Sequence, residues 1–148
     1  MHANRWLRAA VLLSMFAMVL VACGQEAVEA DHEPPVMLEP VDDDSEVTRI
    51  RLTARAAERL AVETSPVEAF GSGLMAVPYG AIFYGNDGET WLYANPEPLV
   101  FVREHIVVDR IEGENAVLSE GPEVGTLVAT VAVAELFGAE TGVGGSGH

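Results

Sequence analysis

The chain has 148 residues with 23 acidic and 8 basic side chains, a formal charge of −15 at pH 7, which points to one domain and leaves no room for two large lobes. Every basic residue is Arg and no Lys occurs, so the chain lacks the basic stripe that tracks phosphates, and nucleic-acid binding is excluded as a reading. A single Cys excludes a disulfide framework and a Cys-rich zinc site.

Arg5 and Arg8 precede an almost wholly apolar run over residues 9–22 (AAVLLSMFAMVLVA), the charged and hydrophobic regions of an export signal. The run of 14 residues is shorter than the roughly 20 that cross a bilayer. Leu20-Val21-Ala22-Cys23 resembles a bacterial lipobox, in which small residues precede a Cys that is acylated and becomes the new N-terminus. The alternative is a plain secretory signal with a Cys beside its cleavage site. On the lipobox reading, residues 1–22 are a lipoprotein signal peptide and Cys23 carries the lipid, whose several acyl chains suffice for stable anchoring. The expected location is extracytoplasmic, on a bacterial cell membrane. Gly24, rather than an Asp resembling a retention signal, favours the outer membrane where there are two. Cleavage would leave six Arg against 23 acids, a net charge of −17 that repels anionic headgroups.

Residues 24–46 hold nine acids, no Arg, and Pro34, Pro35 and Pro40, a composition that reads as a disordered acidic tether over residues 23–46. Such a chain reaches roughly 25–30 Å, enough to lift a domain clear of the headgroups. Asp31-His32-Glu33 could hold a metal weakly, but the pattern reads better as solvated charge.

The folded domain is expected over residues 47–138. Residues 47–52 (VTRIRL) alternate apolar and polar, as a half-buried strand does, and Thr53 suits the N-cap of a short helix over 54–60. Residues 61–69 read as extended, with Pro66 placing them at an edge, and 70–73 (FGSG) read as a joint. Strand patterns over 74–78 and 80–84 lead into Gly85-Asn86-Asp87-Gly88, a strong hairpin turn, with 90–94 (TWLYA) returning and 95–98 (NPEP) interrupting. Residues 99–111 read as one strand with a wet face carrying Arg103, His105 and Asp109. Turns at 112–115 and 121–125 flank a strand over 116–119, residues 126–133 (TLVATVAV) read as one buried strand, and the Gly-rich tail over 139–148 reads as flexible.

Catalysis needs convergent nucleophiles, acids and bases, and the supply here is thin. His105 is the one His in the predicted core, and its wet strand face marks it as a surface residue. Ser72 lies in a Gly-rich joint rather than a strand-to-helix elbow, so the chain reads as non-catalytic, with no cofactor. Gly142-Val143-Gly144-Gly145-Ser146-Gly147 matches G-x-G-x-x-G, but that fingerprint works only between a strand and a helix, and only His148 follows it here. Tyr79, Phe83, Tyr84, Trp91 and Tyr93 crowd one hairpin, either as a binding face or as cross-strand packing. Tyr79, Tyr84, Trp91 and Tyr93, with Arg103 and His105, are the candidate partner-docking residues.

Ile50-Arg51-Leu52-Thr53 with the run AAERLAVETSPVEA through Ala69, then Val77-Pro78-Tyr79-Gly80-Ala81-Ile82, the Gly85–Gly88 turn with Thr90-Trp91-Leu92-Tyr93, and Gly121-Pro122-Glu123-Val124-Gly125-Thr126-Leu127-Val128 resemble the two pieces of the membrane-proximal domain of periplasmic adaptor subunits of RND-type efflux pumps. The likeness is to the heavy-metal branch of these membrane fusion proteins and spans most of residues 47–142. In that family a β-barrel, a lipoyl-like domain and a helical hairpin separate the two pieces, whereas here the joint at 70–73 replaces them. The resemblance implies a mainly β fold, a compact roll or barrel-like domain with one short helix near its N-terminus, and docking on a transporter's periplasmic surface. RND or ABC transporter subunits are the implied partners. Bridging to an outer-membrane channel does not transfer without the hairpin. Metal binding by N-terminal Met residues does not transfer either, since the tether offers only Met37. The expectation is a lipid-anchored, non-catalytic interaction domain beside an efflux transporter or its adaptor; the alternative is a periplasmic carrier of metal or a small ligand.

Overall fold

The computed structural model describes residues 33–42 and 47–142. The stretch read as an export signal, Cys23, Asp31, His32, most of the stretch read as a tether, and residues 143–148 lie outside the described residues. The chain divides into two units, Met1–Glu33 and Pro34–His148, and the architecture below is that of the second.

That unit is mainly β. Strand β2 (Thr48–Leu52) sends Ile50 and Leu52 inward, as its alternation predicts. Thr53 then caps helix α1 (Ala54–Leu60): its Oγ1 accepts from the Ala56 amide at 3.2 Å. The helix ends at Ala61, a left-handed residue whose N–H returns to Ala57 and Glu58 carbonyls. Strands β3 (Thr64–Pro66) and β4 (Glu68–Phe70) follow, then β5 (Leu74–Pro78) and a 3-10 turn over Tyr79–Ala81. Strands β6 (Phe83–Tyr84) and β7 (Thr90–Glu97) form the hairpin expected from the Gly85–Gly88 turn, with Phe83 opposite Trp91 and Tyr84 opposite Thr90. Strands β8 (Val100–His105), β9 (Val107–Glu112), β10 (Asn115–Glu120) and β11 (Leu127–Ala129) precede helix α2 (Val133–Thr141).

The strands build two sheets. With β1 (Val36–Pro40) at one edge, the larger has the order β1-β2-β8-β7-β11-β3, and β6 is added to β7. The smaller has the order β4-β5-β10-β9. Leu92, Ala94 and Val128 of the larger sheet meet Val77, Ala116 and Leu118 of the smaller in one apolar layer. The alternate residues Tyr93, Phe101 and Ala129, with Ile50 and Leu52, form a second layer under Ala56, Val133 and Leu136 of the two helices. The order through the unit is therefore helices, larger sheet, smaller sheet, the usual way to bury both faces of one sheet.

Several sequence expectations need correction. Among the described residues the sheets remain open and close into no barrel. Among the described residues a second helix, α2, joins the expected short one. Strand β1 occupies part of the stretch read as tether: its Val-Met-Leu core pairs antiparallel with β2, Val36 opposite Leu52, and Val36 packs on the helix-side layer. Backbone pairing and one apolar anchor outweigh the acidic composition, and Pro40 is tolerated because β1 is an edge strand. The single strand read over 99–111 is two strands in different sheets, joined at Ile106. That residue is fully buried, and Thr90 holds its backbone through an N–H to carbonyl bond of 3.0 Å and a hydroxyl to carbonyl bond of 2.9 Å. Residues 95–97 continue β7 through a bulge, the Asn95 amide donating to the Glu97 and Val100 carbonyls at 2.7 Å each. The strand read over 126–133 stops at Ala129, where Thr130 and Val131 both donate to the Glu63 carbonyl and the chain turns through left-handed Ala132 into α2. That helix carries the fold to Thr141, past residue 138 where the domain was expected to end.

Candidate functional site

Register determines which of the candidate docking residues meet. Trp91 lies opposite His105 and Tyr93 opposite Arg103 on β7 and β8, so the four side chains share the helix-side face of the larger sheet. The His105 ring meets Trp91 edge-on at 5.3 Å, and the Arg103 guanidinium lies 4.9 Å over the Trp91 ring, a cation–π contact. Outside this pair, His105 Nε2 stands 3.3 Å from Glu89 Oε2, both side chains well exposed.

Helix α2 completes the inner end. Its Glu140, whose side chain is only 5% exposed, places Oε1 3.2 Å from Arg103 Nε and accepts at Oε2 from the Tyr93 hydroxyl at 2.6 Å. Phe83 stacks on Tyr93 at 4.8 Å and meets Phe137 of α2 at 5.2 Å. Burial holds the Tyr93 phenol protonated far above its usual range. The hydrogen bond to Glu140 and that carboxylate's charge add to the effect, and Arg103 opposes it. On the opposite face of β8, burial also raises the Glu104 carboxyl.

The six candidates therefore separate. Tyr93 is fully buried with α2 in place, because strand alternation turns it under that helix, so it presents no surface to a partner in this arrangement. Trp91 and Arg103 are partly buried in the same cluster. His105 lies at its rim, 44% exposed at the side chain. Tyr84, one residue out of phase with Phe83, faces away from the cluster and is 62% exposed; Tyr79, on the 3-10 turn, is 49% exposed. Glu89 and Glu140, which complete the cluster, escaped the sequence reading. The spacing of Val133, Leu136 and Phe137 along one helical face was the signal that could have placed Glu140.

Among the described residues no three His, Cys, Asp or Glu side chains gather as a metal site, and no helix is long and apolar enough to cross a membrane. No family model, no curated protein and no solved structure matches this chain.

Proposed function

We propose that the protein is a lipid-anchored, non-catalytic interaction domain that docks on a membrane efflux transporter or its adaptor. The supporting observation is the exposed aromatic edge at the start of the β6–β7 hairpin: Tyr79 and Tyr84 project from a well-packed three-layer unit. Large amphipathic rings carried on a rigid scaffold are the side chains that anchor protein interfaces. The lipobox-like Leu20-Val21-Ala22-Cys23 supplies the membrane address, and the acidic stretch after it supplies reach. The resemblance to adaptor membrane-proximal domains supplies the class of partner.

The test is a photo-crosslinking residue at Tyr84 in the native membrane, with mass spectrometry of the captured proteins. Capture of an RND or ABC permease, or of a full-length adaptor, is the expected result. Recovery of only the protein itself and abundant lipoproteins would remove the transporter reading. Calorimetric titration with divalent metals, Cu(I) and hydrophobic dyes distinguishes a carrier, which must saturate at a defined stoichiometry.

A further inference from the structure

Helix α2 joins weak local propensity to a polar attachment. It begins at Ala132, held at φ 66° with no side-chain oxygen to cap the first-turn amides. L side chains are disfavoured in that conformation, and well-capped helices begin with Ser, Thr, Asp or Asn. Gly138 lies in the helix interior, with open space where a Cβ would stand. Nine residues of this kind do not hold a helix without tertiary support. That support comes from Val133, Leu136 and Phe137 on the helix-side layer and from the Glu140 clasp to Arg103 and Tyr93.

The clasp is suited to opening. Closure strips water from a carboxylate and a guanidinium, and opening returns it, so the net hold of such a pair is far smaller than its Coulomb attraction. No strand of either sheet follows α2 among the described residues, so its departure breaks no ladder. Beneath it lie Phe83, Tyr93 and Arg103, an aromatic and cationic face, beside the apolar residues Ile50, Leu52, Phe101 and Ala129 of the helix-side layer.

We propose that α2 is a releasable lid: it turns about Val131 and Ala132, breaks the Glu140 clasp, and uncovers Phe83, Tyr93 and Arg103 while both sheets stay folded. The use of this face for partner docking rests on the function proposed above; the opening itself is measured without a partner.

Hydrogen–deuterium exchange of the full chain in detergent micelles, read by mass spectrometry, tests it with Glu140→Gln and Gly138→Ala. Amides of residues 136–141 should exchange faster than those of β7 and β8. Glu140→Gln should speed them by about tenfold and leave the sheet amides unchanged. Gly138→Ala should slow them by about fivefold, again without moving the sheet. A common exchange rate for α2 and the sheets, or variants that shift both together, would show that α2 opens only on global unfolding and overturn the proposal. If Glu140→Gln does not fold, the Gly138→Ala result decides. A lid that passes while Tyr84 captures no transporter stands without the docking reading.

Discussion

Thr53 illustrates what a single residue can announce in advance. Its hydroxyl oxygen takes the Ala56 amide, a bond between residues three apart that needs nothing from the rest of the molecule. Thr53→Ala should cost about 1 kcal/mol in chemical denaturation, and Thr53→Ser should restore most of it. Tyr93 is the opposite case. In the strand it is one aromatic among several, and only α2 packing over its face decides that it is buried and bound to Glu140. Because the folded phenol holds its proton far above the usual range, the unfolded chain releases that proton first as pH rises past about 10. The unfolded state then binds fewer protons, so stability present below that pH is lost above it, by at most about 1.4 kcal/mol per pH unit. The chain has no Lys to titrate in the same range, so Tyr93→Phe should flatten the alkaline limb of a stability–pH curve. An unchanged limb would mean that other groups control it.

At the scale of elements, local patterns held where one face of a strand or helix was decided nearby. The alternation of β2, the short helix α1 and the Gly85–Gly88 turn all form as their residues suggest. They failed where a long-range contact intervened. Residues 99–111 read as one strand from the spacing of Val100, Val102, Ile106 and Val108, yet the chain changes sheets at Ile106, where Thr90 captures its backbone. Strand β1 is the second failure: acids and prolines argue for disorder, while β2 offers an unpaired edge and Val36 finds a place in the core. Deleting residues 33–41 should therefore destabilise the domain by about 1–3 kcal/mol and raise exchange at β2, measured by urea unfolding and hydrogen exchange. A deletion without effect would return this stretch to the role of tether.

For the whole molecule, charge and layering act on different ranges. With 23 acids against 8 Arg, carboxylates repel across the surface, and this repulsion is weaker in the expanded chain. Thermal unfolding followed by circular dichroism should shift upward as salt is raised from about 0.01 M to about 1 M, where the screening length falls from roughly 30 Å to roughly 3 Å. An unchanged midpoint would show that the acids are spaced widely enough not to interact. The sequence by itself determined the mainly β class, the capped helix and the hairpin turn, because capping, alternation and turn chemistry act over a few residues. It also carries the lipobox-like motif as a continuous string. Only the tertiary structure decided which strands share a sheet, that β1 and α2 belong to the fold, and that Tyr93 lies beneath a carboxylate from the far end of the chain. Those outcomes depend on pairing and burial between residues such as Tyr93 and Glu140, which are distant in sequence and carry no local sign of one another.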